Sequence, residues 1–426
     1  MDTGGQRPAL IAVGATLLCV VVAMVLLWPD KAPQSLPDGG QQVSGTITAL
    51  STQGCEPTGL GGAMKAACGK ADVKLTEGPQ SGYSVSTTVP GGPGAPVVAV
   101  GDDVVLLYTP ANPEELRYQV TDHERGLQLW VLLTALALAI VAFGRLRGVT
   151  ALLGLGITFG VLLMFVIPAI LSGRPPLLVA IVGAIGIALT VLYLTHGVTR
   201  STTVAVAGTV ASLTLTGVLA YASVEATRLS GVADETSANL GVLYGVNMQG
   251  LLLAGILIGS LGVLDDVTVT QAVTVQELAE ANPSYGFRQL YAAATRVGRA
   301  HIASVINTII LAYAGASLPL LVLITAIDNP VGQVLSDQLV ATELVRSAVG
   351  TIGLIAAVPL TTALAAWWGV RQPRAGAGAG GAGADHPADA AATTVTPDHA
   401  GAGVTLTALT ARVRAQVEAK LASVRQ

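Results

Sequence analysis

Apolar residues run in long blocks over most of the chain and alternate singly with polar ones over one part of it. A bilayer core about 30 Å thick is crossed by roughly 20 mainly apolar helical residues. Eight stretches reach that scale: residues 9–28, 127–143, 149–171, 177–195, 202–224, 243–264, 302–327 and 344–368. The sixth is the weakest, because Asn247 and Gln249 interrupt it. Between the first two blocks the period changes to two. Val43, Gly45, Ile47 and Ala49 alternate with small or polar neighbours, as do Val73 and Leu75, and Tyr83, Val85, Thr87 and Val89. Residues 97–100, a Gly101-Asp102 turn and residues 104–108 follow. This pattern predicts about five short strands in a small antiparallel barrel, OB-like by preference, with a β-sandwich as the alternative.

The chain therefore divides into an N-terminal anchor (1–29), a β domain (30–125), a seven-helix membrane domain (126–370), an Ala/Gly-rich linker (371–403) and a C-terminal amphipathic helix (404–426). In that last helix Leu406, Leu409, Val413, Val417, Leu421 and Val424 recur every three or four residues. It reads as an interfacial or self-associating helix, or as a weakly ordered one without a separate role. The first block is longer than the apolar stretch of a signal peptide, and Leu26-Leu27-Trp28-Pro29 offers no small-x-small cleavage site, so a retained anchor is expected.

Alternating the spans places both termini on one side. That side holds Arg7, Arg145, Arg147, Arg200, Arg288, Arg296, Arg299, Arg371 and Arg374, against Arg174 and Arg228 in the short loops opposite. The basic excess marks the cytoplasmic side, so the expected topology is N-in/C-in with the β domain outside. Composition agrees: 52% of the 426 residues are hydrophobic and only 11% charged, against about 25% charged in soluble chains. A net charge of −4 supplies no electrostatic footprint for nucleic acid. The lipid bilayer is the first expected partner, and an extracytoplasmic partner of the β domain is a second.

Cys55 and Cys68 fall in the β domain, on the oxidising side, and a disulfide between them is expected. A metal pair is the rival reading, but neither His nor further Cys stands near to complete it.

The densest chemistry lies in Gly262-Val-Leu-Asp265-Asp266-Val-Thr268-Val-Thr270-Gln271. Two adjacent carboxylates at the end of an apolar run are costly in hydrocarbon, so they should face water, a cavity, a cation or each other. Thr268, Thr270 and Gln271 add oxygen atoms within two helical turns, surroundings that suit a hard cation; alternatively the two acids share a proton. The plainer reading makes Asp266 the N-cap of a separate amphipathic helix from about 267 to 281, closed by Asn282-Pro283. His196 ends the fourth span and His301 begins the seventh on the same side as the acids, a layer suited to a proton relay or metal site. Asn307, in the seventh span, is either interhelical glue or a cavity-lining group. Glu343 and Arg346, three apart, read as a local ion pair.

No GxxxxGK[ST], HExxH or GxSxG motif occurs, so no enzyme activity and no cofactor are expected. Three stretches nevertheless carry a resemblance: Leu194-Thr195-His196-Gly197, Gly262 to Gln271, and His301 to Thr308 continuing through Leu311 to Ser317. Over roughly residues 43–368 the chain resembles the YibE/F-like family of bacterial multispan membrane proteins. The resemblance implies a multi-pass protein of the bacterial plasma membrane and assigns no catalytic residue. The expected function is permease-like transport of an ion or small solute through Asp265, Asp266, Thr268, Thr270 and Gln271, with His196, His301 and Asn307 in support. The alternative is a non-transporting scaffold whose β domain binds an envelope component or partner protein.

Overall fold

In the computed structural model the described residues are 6–29, 40–51, 69–78, 80–89, 97–110, 112–113, 116–232, 235–326 and 331–370. Cys55, Cys68, the linker and the helix expected at 404–426 lie outside them.

Five strands, β1 (Gln41–Ser51), β2 (Gly69–Leu75), β3 (Ser84–Val89), β4 (Asp103–Tyr108) and β5 (Tyr118–His123), close a barrel in the order β1-β2-β3-β5-β4. Neighbours are antiparallel except β3 and β5, which pair in parallel at Thr88 and Gln119. The long β1 serves two neighbours: Gly45 sits opposite Leu75 on one side and Val104 on the other. A Cβ on Gly45 would lie 2.6 Å from Val73 Cγ1, so the strand can bend across the interior here only without a side chain. The period-two pattern turns Val43, Ile47, Val73, Leu75, Val104 and Leu106 inward, where all are buried.

Residues 97–100, expected as a strand, are not one. The Asp102 carboxylate accepts from the Ala99 amide at 2.8 Å, and Gly101 takes φ 97°. A short acidic side chain that satisfies a backbone N–H competes with strand pairing and favours a turn. The fifth strand is instead β5, where Tyr118 and Val120 point inward and Gln119 and Thr121 outward.

The helical part begins with α1 (Gln6–Leu26), ahead of the barrel, and resumes after it with α2 (Gly126–Val161). A π-helical stretch, Leu162–Val166, links α2 to α3 (Ile167–Leu171). Pro168 lacks the N–H that would continue the ladder, which accounts for the widened turn just before it. Then come α4 (Pro176–His196), α5 (Arg200–Thr227), α6 (Glu235–Tyr244), α7 (Met248–Ala281), α8 (Phe287–Ala316), α9 (Leu318–Ala326), α10 (Val331–Ser336) and α11 (Gln338–Val370).

Among the described residues, six helical segments are long and apolar enough to cross a membrane. The first, Gly126–Leu171, doubles back within its length. Arg145 adopts φ 52°, ψ −128°, and a Cβ on Gly148 would overlap the Ile140 carbonyl oxygen. Eight residues of straight helix would hold those two positions about 12 Å apart. Two apolar arms thus meet at a tight turn that only a glycine permits.

Three boundaries differ from those expected. The sixth block breaks at residues 245–247, with Gly245 at φ 63°, and α7 starts afresh where the Asn247 side chain accepts from the Gly250 amide at 2.7 Å. From there α7 runs unbroken to Ala281. The seventh block starts earlier than expected, at Phe287, and breaks at Ser317 ahead of Pro319. Pro359 is accommodated inside α11 without ending it.

At the centre α5, α7 and α11 each pack against the other two, α4 lies on α7, and α8 lies on α7 and α11. Their shared apolar core includes Leu192, Leu213, Leu257, Leu264, Leu354 and Val358.

Candidate functional site

Because α7 is continuous, Asp265 and Asp266 stand in the middle of a helix, and the N-cap reading of Asp266 fails. The apolar residues before the acids and the Thr/Val/Gln run after them propagate one helix, with nothing between to stop it. Asp265 is half-buried, and its Oδ1 is closed off from solvent with no hydrogen-bond partner. Asp266 points out of the bundle, with its Oδ2 3.8 Å from His301 Nε2 on α8. That separation is too long for a hydrogen bond but within the range of an ion pair when the imidazole is protonated.

The next three polar residues of α7 part company. Thr268 is fully buried, shares a 2.7 Å hydrogen bond with Thr209 of α5, and lies 3.1 Å from the Asp265 carbonyl oxygen. With that carbonyl accepting from Thr268, the Thr209 hydroxyl is left to donate to Thr268. Gln271 is also fully buried, and its Oε1 accepts from Thr362 of α11 at 2.9 Å. Its Nε2 has no partner. Thr270 is half-buried, and its carbonyl accepts from the Thr274 hydroxyl.

These directions follow from helix geometry. Three residues turn the helix by about 300° and advance it ~4.5 Å. Asp265, Thr268 and Gln271 therefore step down α7 while rotating about 60° each time, and successive side chains address different neighbouring helices.

Of the supporting residues, only His301 is brought to an acid. His196, at the exposed end of α4, has its Nδ1 2.8 Å from Thr195 Oγ1. Asn307 lies on the exposed side of α8. Among the described residues no three His, Cys, Asp or Glu side chains converge to hold a metal, so the metal form of the layered site is not assembled. Glu343 and Arg346 do form the local pair, at 2.8 Å.

Sequence reasoning missed the partners of α7. Thr209, Ser212 and Thr216 of α5, with Thr361 and Thr362 of α11, have no exposed surface. Ser212 Oγ and Thr361 Oγ1 have no partner. The signal was present: Thr209, Ser212 and Thr216 follow the i, i+3, i+7 spacing of one helix face. Glycines bring the backbones together along this seam. A Cβ on Gly208 would overlap Thr361, one on Gly353 would overlap Thr216, and one on Gly298 would come within 2.8 Å of Gln271 Nε2. A separate cavity of about 410 Å³ between α4, α5 and α7 is lined by apolar residues such as Ile181, Ile185, Leu213 and Leu257, and includes neither acid.

Lipid-length helices with carboxylate, hydroxyl and amide groups held among them define a polytopic membrane protein, here carrying a small barrel near its N-terminus. Over residues 132–371, more than half its length, the chain matches the family model described as YibE/F-like protein, and it belongs to that family. The match covers the helical region and stops short of the barrel, so it is narrower than the resemblance over 43–368. No curated protein and no solved structure matches the chain.

Proposed function

We propose that this YibE/F-like protein is a permease-like transporter that moves an ion or small solute across the bacterial plasma membrane, with Asp265 and Asp266 as its coupling acids. The observation that carries the reading is Asp265 Oδ1, an acceptor shut off from solvent inside a membrane-length helix and left without a partner. Such a group costs several kcal/mol unless a ligand or proton satisfies it, and intramembrane carboxylates mark ion and solute paths for that reason. Eight spans complete the arrangement: α1, the two arms that meet at Arg145, α4, α5, α7, α8 and α11. The arginine distribution supports cytoplasmic termini and an outer barrel. The protein is read as a non-enzyme.

The test is thermal unfolding of the purified wild type and of Asp265→Asn/Asp266→Asn against a panel of cations, pH values and small solutes. A ligand of the folded state adds about 2.7 kcal/mol at a hundredfold excess over its Kd. A shift seen in the wild type and lost in the variant supports the reading; identical profiles for the two proteins overturn it.

A second reading rests on the barrel. We read the five strands closing in the order β1-β2-β3-β5-β4 as OB-like, a barrel class that binds oligomeric ligands on its β2–β3 face. In this reading the protein is a scaffold for an envelope component, deletion of residues 34–120 abolishes its role, and the acids are dispensable.

A further inference from the structure

The cavity of about 410 Å³ between α4, α5 and α7 is a cleft shaped by two helix faces. Its α4 wall comes from residues 177–185 and its α5 wall from residues 210–221, at spacings that keep each set on one side of its helix. Ala184, Leu213 and Leu257 are buried and form the floor, whereas Ile181, Val218 and Tyr221 are exposed and form the rim. Gly217 widens the α5 wall, because a Cβ there would only reach ordinary contact with Leu257, at 3.5 Å.

Shape and chemistry choose the occupant. At 1.5 Å per residue the two walls run for roughly 12–17 Å, close to one leaflet of a hydrocarbon core about 30 Å thick. The volume falls within the ~300–1,000 Å³ of small-molecule sites. The lining offers little that is polar: the Thr214 hydroxyl donates to the Val210 carbonyl of its own helix at 2.8 Å, which leaves the Tyr221 phenol. An ion or a polar solute would go unsatisfied among such residues, and a hydrocarbon chain would not. The rim belongs to helices of membrane length, so the cleft opens sideways toward lipid.

Charge marks one end. Leu177 and Tyr221 lie where α4 begins and α5 finishes. Arg174 precedes Leu177 by three residues, and Arg228 caps α5 seven residues beyond Tyr221. The acid at that end, Glu225, accepts from Gln249 at 3.2 Å. Two arginines at one end of an apolar cleft suit a phosphate joined to a hydrocarbon tail.

We propose that this cleft is a phospholipid site, in which one acyl chain lies between α4 and α5 and its headgroup phosphate sits at the end marked by Arg174 and Arg228. In the N-in/C-in arrangement that end belongs to the outer leaflet, but the site depends neither on that orientation nor on transport. Hydrocarbon gains little by leaving bulk lipid for a protein surface. Retention therefore comes from dispersion contacts on three sides of the acyl chain and from the pairing of phosphate with arginine.

The experiment is native mass spectrometry of the full-length protein, purified in detergent, stripped of loosely held lipid and titrated with phosphatidylglycerol. The wild type is expected to retain one phospholipid per chain. Gly217→Phe and Ile181→Trp put a ring into the cleft from opposite walls and are expected to weaken that retention by about tenfold, so each checks the other. Gly217→Ala, whose added carbon the cleft admits, keeps it. Thermal unfolding checks folding and gives a second readout: phosphatidylglycerol is expected to raise the Tm of the wild type and of neither filled variant. Filled variants that retain lipid at the wild-type level, or a wild type that retains none, overturn the site. A wild-type dimer that both filled variants dissociate gives the cleft to a second copy of the chain and overturns the lipid assignment.

Discussion

The barrel and the helical bundle solve the same problem, an interior without water, with different proportions of polar and apolar groups. The barrel fills its centre with Val43, Ile47, Val73, Leu75, Val104 and Leu106, and its buried hydroxyl, Thr87, donates to the Tyr118 carbonyl. The bundle sets glycine, serine, threonine and glutamine among the leucines and valines of its core and turns other large apolar groups outward, among them Leu127, Trp130, Leu132 and Phe143 of α2. Water explains the difference. A strand facing solvent gains about 25 cal/mol for each Å² of apolar surface it hides. A helix in lipid gains nothing by hiding leucine from hydrocarbon, so close backbone approach and interhelical hydrogen bonds hold the bundle together.

Substitutions in the two regions should therefore behave differently. The largest effect is expected in the barrel. Leu106→Ala should cost about 2–5 kcal/mol through lost burial and a residual cavity, read as loss of hydrogen-exchange protection in β1 and β4. In the bundle the damaging change is enlargement. Gly353→Ala already drives a Cβ into Thr216, and Gly353→Val, with a branched side chain, should cost more, about 1–3 kcal/mol, measured as thermal stability in detergent. Thr362→Val should cost less than overpacking, and Gln271→Leu alone about 1–3 kcal/mol by leaving the Thr362 hydroxyl buried and unpaired. The double variant Gln271→Leu/Thr362→Val should recover most of that loss, and a double-mutant cycle showing strict additivity would contradict the direct bond.

The smallest effect is a pH dependence confined to the barrel. Burial, and then the neighbouring Tyr108, raise the Tyr118 phenol above its ordinary value, with Arg117 opposing. A phenol held protonated in the fold contributes stability that is fully present below about pH 10 and is lost as pH rises through the raised folded value. Barrel protection should fall more steeply in alkali for the wild type than for Tyr118→Phe. That variant also loses the hydroxyl's 3.1 Å bond to Gln80 Oε1, so the slope with pH, rather than the absolute stability, is the quantity to compare.

Much of this was legible in the chain. Apolar blocks of bilayer length announce helices because each helical residue satisfies its own backbone wherever the helix goes, and strict alternation announced the strands around Val43, Val73 and Val85. Residues 97–100 misled because valines alone favour a strand, whereas the Asp102 side chain imposes a turn that pattern does not report. The acids at 265 and 266 stood out by composition, and the break expected before them was absent because α7 draws its continuity from packing on α4, α5 and α11.

The sequence by itself determined the membrane class, the β-rich region between the first two apolar blocks, and the family through its motifs, since all three depend on local period and composition. Only the tertiary structure decided that Asp266 meets His301, that Thr268 and Gln271 turn to Thr209 and Thr362, and that His196 and Asn307 stand apart. The physical reason is distance along the chain. Thr209 and Thr268 are separated by 59 residues and Gln271 and Thr362 by 91, so which small polar group faces which is set by how the helices cross, and no local pattern carries that information.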